Sequence, residues 1–314
     1  MTFRSIRSAL VATLALVLGV ALFPVAVSTV QTLLVSIAMY KPDPHLMMAG
    51  PALQVLTGFA TAPGATLTQL TMGAGDSLQI ANCDFTKMVR LLEMWGDWQT
   101  SGFFGIRSPK LHDAVRGIRV KGVAATVTPL LPLGTYQKLF PQDVLTAEIS
   151  GSATAGDIET GALLIYYEDL PGVAARLITY DELMKRGVNT KSVQNTITTT
   201  AAGGYSGSAA INAVEDLMKA NTDYALAGYE VDVEIAVVGW KGPDTGNVRV
   251  GGPGNPSLKH LTGTWFVRLA RETGLPLIPV INSANKGATF VDGAQDENSG
   301  APILNSHFIE LAPR

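Results

Sequence analysis

The chain has 314 residues, of which 47% are hydrophobic and only 16% are charged, and it contains 32 glycines and 17 prolines. This balance excludes a disordered chain and favours many short strands joined by tight turns. The 23 basic and 26 acidic residues nearly cancel, so no basic face is available to neutralise phosphates, and we expect no direct contact with nucleic acid. The single cysteine, Cys83, excludes an intrachain disulfide, and we interpret it as a small buried hydrophobic residue.

An uncharged hydrophobic segment comes first, over residues 8–40. It is longer than the roughly 20 apolar residues with which a helix crosses the hydrocarbon layer of a bilayer. Pro24 divides it into an aliphatic first half and a second half that also carries polar residues, so a kink is expected there. We predict a helix that contacts a membrane through ten residues: Leu10, Leu14, Leu16, Val17, Ala21, Phe23, Val25, Leu33, Leu34 and Ile37.

Two other interpretations of this segment stay open. Arg4 and Arg7 form a basic region ahead of the hydrophobic run, and Ala26-Val27-Ser28 resembles a cleavage site, as in a secretory signal peptide. A helix that is hydrophobic all round is also typical of burial inside a protein assembly. The pattern therefore indicates an apolar environment without identifying it, and residues 1–44 are assigned to a hydrophobic helix and its connector.

Residues 45–178 are predicted to form a first β-sandwich. Short apolar stretches are separated there by Gly, Pro, Ala and Asp, which are typical turn residues. Apolar and polar residues alternate over residues 144–149, as in a half-buried strand. The predicted strands cover residues 53–57, 66–72, 77–80, 117–127, 144–149 and 161–167.

Residues 179–221 are predicted to form a helical linker. Thr179, followed three residues later by Glu182, is a capping box for a short helix over residues 180–186. A segment rich in Thr, Ser, Asn and Gly follows, and Ser208 is predicted to cap a second helix.

A second β-sandwich is predicted over residues 222–314. Its clearest strand covers residues 230–238, where apolar and acidic side chains alternate. Residues 241–255 are rich in glycine and are predicted to be a long loop. Further strands are predicted at residues 265–270, 275–281, 289–291 and 304–311. Each body offers roughly the number of strands of an eight-stranded jelly roll, and no sequence repeat links the two.

Sequence patterns for catalysis or ligand binding are weak throughout. Gly204 to Ser208 lacks the second glycine of a nucleophile elbow, so we interpret this stretch as a helix-capping turn. The glycine clusters at residues 73–75 and 251–254 lack the order of a phosphate-binding loop and are interpreted as turns. We expect no catalytic residue, no cofactor and no metal site. The histidines have no local metal-ligand spacing: they are His45, His112, His260 and His307.

Acidic and aromatic clusters are the remaining candidates. Glu168-Asp169 and residues 292–297 are weak candidates for a calcium loop, and Asp157 with Glu159 is interpreted as a solvated strand edge. A group of aromatic residues could line a sugar-binding groove, although packing between strands is the interpretation we favour. This group consists of Trp95, Trp98, Phe103 and Phe104.

The order of these elements resembles the double-jelly-roll major capsid proteins of tailless, bacteriophage-like icosahedral viruses that enclose a lipid membrane. The hydrophobic leader, the β-rich bodies near residues 51–178 and 222–311, the helical bridge and the long Gly/Pro loops carry this likeness. It covers the whole chain and includes no diagnostic motif. The resemblance implies two upright sandwiches in each subunit, homotrimeric capsomers, and an N-terminal segment that reaches the membrane beneath the shell.

The resemblance implies a structural protein of the virion, without enzymatic activity, that self-assembles into the shell. Its partners would be further copies of the chain, other capsid proteins and the lipid membrane. Uncovered strand edges and the lack of disulfides agree with a subunit that is buried against neighbours. The alternative is a membrane-anchored or secreted bacterial β-sandwich protein that binds a glycan or a protein partner through the region from Trp95 to Phe104. An anchored hydrolase would need three convergent polar groups, which the sequence does not offer.

Overall fold

The structure is a computed structural model that describes residues 49–111, 117–124, 126–127, 131–199, 204–211, 218–294 and 300–314. The predicted N-terminal helix and its ten membrane-contacting residues lie outside these ranges, as do His45 and His112. The described part of the chain is mainly β. None of its helices combines the length and the hydrophobicity needed to cross a membrane.

The first sandwich consists of two antiparallel sheets. Its strands are β1 (Ala49–Thr61), β2 (Thr68–Gln69), β3 (Thr71–Met72), β4 (Val89–Trp98), β5 (Phe103–Arg107), β6 (Ile118–Lys121), β7 (Thr126–Val127), β8 (Leu131–Lys138), β9 (Thr146–Ser150) and β10 (Ile158–Pro171). One sheet has the order β3-β1-β10-β4-β7 with β8 also beside β4, and the other has the order β2-β9-β5-β6. A 3₁₀ helix, Pro109–Leu111, follows β5.

Strands β1, β4 and β10 carry nearly continuous apolar runs because both faces of their sheet are covered. On one face, Leu91, Met94 and Trp98 pack against Phe104 and Ile106 of the four-stranded sheet, which forms the core of the first sandwich. The opposite face contributes to a second core that it shares with the rest of the chain. This sheet is therefore a buried middle layer of the molecule.

The second sandwich also consists of two antiparallel sheets. Its strands are β11 (Leu177–Ile178), β12 (Gly187–Thr196), β13 (Tyr205–Ala210), β14 (Asp223–Val231), β15 (Ile235–Lys241), β16 (Val250–Gly254), β17 (Ile278–Asn282), β18 (Phe290–Ala294) and β19 (Ile303–Leu311). The sheet orders are β11-β17-β14-β19-β12 and β13-β18-β15-β16. The helices are α1 (Tyr180–Arg186), α2 (Lys259–Thr262) and α3 (Trp265–Thr273), with 3₁₀ turns at Pro243–Thr245, Pro256–Leu258 and Ser283–Asn285.

The two sandwiches share one scheme of strand pairing. In the first sandwich, the eight principal strands in chain order are β1, β2, β4, β5, β6, β8, β9 and β10. The first of them pairs with the eighth (β1 with β10), the second with the seventh (β2 with β9), the third with the sixth (β4 with β8), and the fourth with the fifth (β5 with β6). In the second, β12 pairs with β19, β13 with β18, β14 with β17, and β15 with β16. The chain thus contains an architectural duplication without a sequence repeat.

Helix α1 confirms the helix predicted over residues 180–186. The Oγ1 atom of Thr179 accepts a hydrogen bond of 3.2 Å from the backbone N–H of Glu182, as in the predicted capping box. The remainder of the predicted linker differs, because it contains the strands β12 and β13, which pair with β19 and β18. Ser208 lies inside β13, so its prediction as a helix cap is wrong. The division of the chain into domains at residues 178 and 222 stays a prediction.

Three predictions in the second sandwich are wrong, and two of them concern residues 230–255. The segment predicted as one strand over residues 230–238 is divided between the two sheets, since β14 ends at Val231 and β15, which belongs to the other sheet, begins at Ile235. Its acidic residues lie in or beside the turn, where Asp232 Oδ1 accepts a 2.6 Å hydrogen bond from the N–H of Ile303. The predicted loop over residues 241–255 contains β16, whose residues are all buried.

The prediction of a strand at residues 265–270 is also wrong, because this segment belongs to helix α3. Its buried residues are Trp265, Phe266, Leu269 and Ala270, which recur with the period of one helix face. Gly274 ends the helix with a φ angle of 71°, in the left-handed region that favours glycine. The strands predicted at residues 53–57, 161–167 and 304–311 are confirmed as parts of β1, β10 and β19.

Candidate functional site at the seam between the sandwiches

We define the seam as the contact between the outer face of the β3-β1-β10-β4-β7 sheet and β15, β16 and α3 of the second sandwich. Trp95 of β4 and Trp265 of α3 meet there edge to face, with ring centroids 6.3 Å apart, and both are fully buried. The indole N–H of Trp95 donates a 2.9 Å hydrogen bond to the carbonyl of Ala236. The N–H of Val55 likewise donates to the carbonyl of Arg249 over 2.9 Å. The seam is therefore packed and hydrogen-bonded like a domain interior.

One buried ion pair crosses the seam between β4 and α3. Arg268 Nη2 lies 3.3 Å from Glu93 Oε1, and the two side chains are 14% and 3% exposed. Arg268 also pairs with Glu272 over 3.1 Å and lies above the ring of Trp265. Burial raises the pKa of Glu93 to about 7, although the charge of Arg268 acts in the opposite direction. Glu93 therefore titrates near neutral pH.

A second charge cluster crosses the seam around Arg249. Its Nε and Nη2 atoms donate to the two oxygens of Asp292 over 2.9 and 2.7 Å, and its guanidinium stacks on the ring of Tyr205 at 3.4 Å. From the first sandwich, Asp76 places Oδ1 4.0 Å from Arg249 Nη1, while its Oδ2 accepts a 2.8 Å hydrogen bond from the N–H of Thr57. Burial raises the pKa of Asp76 to about 6.

The charged residues of the seam hold the two sandwiches together. Each cluster brings one arginine of the second sandwich to a buried carboxylate of the first. Buried ion pairs repay little of their desolvation cost, yet removing one partner is strongly destabilising. The clusters therefore favour one relative position of the two sandwiches over any other.

The described histidines do not come together. His307 shares a 2.9 Å hydrogen bond between its Nδ1 and Ser192 Oγ, and its Nε2 lies 3.8 Å from Glu230, whereas His260 is exposed in helix α2. The described residues include no group of three His, Cys, Asp or Glu side chains that could hold a metal ion.

Two of the acidic candidates, Glu168 and Asp292, take part in other contacts. Glu168 accepts hydrogen bonds from the N–H of Met88 over 2.9 Å and from Lys87 Nζ over 3.3 Å. Of the cluster at residues 292–297, Asp292 belongs to the seam, and residues 295–299 lie outside the described ranges.

Glu159 contradicts the interpretation of a solvated strand edge. Its side chain is fully buried and accepts hydrogen bonds from the N–H groups of Gln99 over 2.9 Å and Ser152 over 2.6 Å. Loop amides thus compensate its charge, although burial still raises its pKa above the ordinary value.

The aromatic group is a packing element, as we had favoured. Trp95, Trp98 and Phe104 are fully buried, and only Phe103 reaches the surface. The Trp98 indole N–H donates to the carbonyl of Ser150 over 3.0 Å. These residues therefore form no open groove for a sugar. Cys83 is confirmed as a buried residue, and burial raises the pKa of its thiol to about 11.

The glycine clusters differ from each other. Gly73 and Gly75 form a turn, closed by a 2.9 Å hydrogen bond from the N–H of Asp76 to the carbonyl of Gly73, as predicted. The prediction of a turn at residues 251–254 is wrong, because these residues belong to strand β16. A Cβ atom at Gly251 would lie 2.0 Å from the carbonyl oxygen of Val238, so the close approach of β15 requires glycine there.

The sequence contained no signal for the pairing of Glu93 with Arg268, since the two residues are 175 positions apart. The fold and the seam define a mainly β protein built of two sandwiches. No protein-family model matches the sequence, and no curated protein matches it. A solved structure to which the chain is similar is the crystal structure of PBSX exported protein XepA, with 8% identity and a TM-score of 0.25. The match covers 82% of this chain and 86% of that chain, and so low a TM-score carries no argument about fold or function.

Proposed function

We propose that this chain is the major capsid subunit of a tailless icosahedral virus with an internal membrane, and that each of its sandwiches is a jelly roll. The observation that carries this proposal is the repeated pairing scheme, in which strands one and eight, two and seven, three and six, and four and five are neighbours. An eight-stranded jelly roll made of two Greek keys has this pairing. Its occurrence twice in one chain is what a double-jelly-roll subunit requires.

The seam supports the same proposal. A shell subunit that carries two sandwiches must hold them in a fixed relative position, since its neighbours contact both. The buried Trp95–Trp265 pair and the ion pair of Glu93 with Arg268 provide that constraint.

Exposed apolar side chains also support assembly. Phe85, Met184 and Val188 are 67%, 64% and 58% exposed, so each leaves apolar surface in water at a cost of about 25 cal/mol per Å². Burial against neighbouring subunits would remove this cost. We propose homotrimers or larger shell assemblies, with other capsid proteins as further partners.

The hydrophobic leader supports a membrane role in this proposal. Residues 8–40 carry no charge, so transfer of this segment into lipid is favourable. The subunit would thus be located in the virion, above an internal membrane, where lipid separates it from the genome. We propose a purely structural role without catalysis or a cofactor.

Electron microscopy and native mass measurement of the full chain test the proposal. The chain is reconstituted with lipid vesicles and compared with the same chain in detergent. Trimers, or shells around vesicles, are the expected result. A monodisperse monomer at high protein concentration, with no assembly in lipid, would overturn it. The glycan-binding alternative through residues 95–104 loses its support, because Trp95 and Trp98 are buried.

A further inference from the structure

Strand β12 is an unusually long edge strand. It has ten residues and pairs with β19 on one side, and no other strand in the described part of the chain pairs with its second side. Natural edge strands are usually protected from pairing by shortness, proline, bulges or charge. The other described edges follow this rule: β2, β3, β7 and β11 have two residues each, β6 has four, β8 and β16 contain Pro132 and Pro253, and β13 has a register shift.

Strand β12 lacks most of these protections. It contains no proline, and its only register shift lies at its start, between Gly187 and Asn189. Lys191 is its single charged residue. The side chains of alternate residues point outward and are exposed, and all of them except the first are polar and uncharged: Val188, Thr190, Ser192, Gln194 and Thr196. Such a strand can accept a second strand without burying a charge.

We propose that β12 pairs antiparallel with β12 of a second copy of this chain, across a two-fold axis at Ser192. This inference rests on the proposed self-assembly and names one contact between subunits. It extends the five-stranded sheet of one subunit directly into that of its neighbour.

The register follows from the geometry of antiparallel pairing. Only alternate residues of a strand direct their N–H and C=O groups toward a given edge, so two opposing residues must be an even number of positions apart. A two-fold axis between identical strands must therefore pass through a residue.

Three residues near the middle of β12 are positions at which the two-fold axis can pass: Lys191, Ser192 and Val193. An axis at Lys191 would place two like charges opposite each other, which is unfavourable. An axis at Val193 pairs only residues 190–196 and leaves Val188 uncovered. An axis at Ser192 pairs residues 188–196, so that Val188 opposes Thr196 and Thr190 opposes Gln194. Lys191 then faces the uncharged Val193, and the overlap is longer than with an axis at Val193.

Disulfide crosslinking tests this register. In the variant S192C, residue 192 opposes its own copy, with Cβ atoms about 4.5–5.5 Å apart, which is close to disulfide geometry. The matched control T190C places the two thiols about 13 Å apart along the strands, beyond disulfide reach. The native Cys83 is buried and does not compete. Mild oxidation of assembled full-length chain should yield a covalent dimer for S192C, none for T190C, and a dimer for T190C/Q194C.

Charge variants test the same contact without a covalent bond. In T190K/Q194K two lysine pairs oppose each other, whereas in T190K/Q194E each lysine opposes a glutamate of the neighbour. We expect the first variant to lower the yield of assemblies about tenfold at low salt and the second to restore it to within about twofold of wild type. The control T154K/A155K places two lysines on an exposed turn of the first sandwich and should assemble normally.

The outcomes separate this inference from the proposed function. If wild type assembles while S192C and T190C crosslink equally or not at all, or while T190K/Q194K assembles normally, the β12 contact is wrong and the capsid proposal stands. If wild type remains a monomer at high concentration, both are overturned. Circular dichroism of each variant checks that the sandwiches remain folded.

Discussion

The guanidinium of Arg268 lies 3.3 Å from the carboxylate of Glu93 and joins helix α3 of the second sandwich to strand β4 of the first. Only one oxygen of Glu93 is paired, because Oε2 is buried without a hydrogen-bond partner among the described residues. Such a carboxylate is held in place by one cation at a high desolvation cost. Both the stability of the seam and its response to pH should depend on this pair.

The stability of the protein should fall as the pH rises from 5.5 to 8. Burial raises the pKa values of Glu93 and Asp76 to about 7 and 6, from ordinary values of 4.5 and 3.8. The folded state therefore binds more protons than the unfolded state between about pH 4 and 7, and the free energy of unfolding decreases with rising pH in this window. We expect a loss on the order of 2 kcal/mol.

Denaturant unfolding at both pH values measures this loss, and the variant E93Q/D76N should flatten the profile. Carboxylates with lowered pKa values, such as Glu148 and Asp223, lose their stabilising effect only below about pH 4.5, outside this window. Equal stability of wild type at pH 5.5 and 8 would contradict the assignment.

Replacing Arg268 with methionine should destabilise the protein by about 3 kcal/mol at pH 8. The variant R268M retains an apolar stem of similar length and leaves the Glu93 carboxylate buried without its cation. At pH 5.5 the effect should be smaller, because Glu93 is then largely protonated. Chemical denaturation at both pH values provides the measurement. Arg271 lies exposed on the same helix, so R271M should change stability by no more than about 0.5 kcal/mol.

Replacing Gly251 with alanine should cost about 3 kcal/mol or more. The added Cβ would lie 2.0 Å from the carbonyl oxygen of Val238, so β15 and β16 would have to separate. Thermal unfolding compares G251A with G287A, since a Cβ at Gly287 meets no atom within 4 Å. Similar melting temperatures for the two variants would show that the strands can separate without this cost.

Deleting residues 1–24 should abolish membrane association and leave both sandwiches folded. The deletion removes the aliphatic half of the leader, whereas the strands of both sandwiches begin at Ala49. Flotation with liposomes measures association, and circular dichroism measures folding. A truncated chain that still floats with liposomes would refute the assignment of this half to lipid contact.

Local sequence signals predicted the elements that depend on local interactions. Helix α1 was predictable because the hydroxyl of Thr179 accepts a hydrogen bond from the N–H of Glu182, only three residues further on. Helix α3 was missed because its apolar run also fits a buried strand, and packing against β14 decides between them. The break between β14 and β15 was missed because the alternation of apolar and acidic residues continues through the turn that joins the two sheets.

The seam could not be predicted, for a related reason. Asp76 and Arg249 are typical surface residues in sequence, and they become buried only because a turn of the first sandwich meets the start of β16. Glu159 was assigned to solvent because one of the amides that bind it belongs to Gln99, 60 positions away, and the other to Ser152 in the loop before β10. Contacts of this range leave no pattern in a single sequence.

The short strand β11 limits how far the two sandwiches can move relative to each other. It directly follows the first sandwich, yet it pairs with β17 of the second, and the backbone of Arg176 bonds to Asp244 over 2.7 Å and to Val280 over 2.8 Å. The connection between the sandwiches is thus part of a sheet and offers no free hinge. In a closed shell, curvature would have to arise at the contacts between subunits, since each subunit would behave as a rigid block.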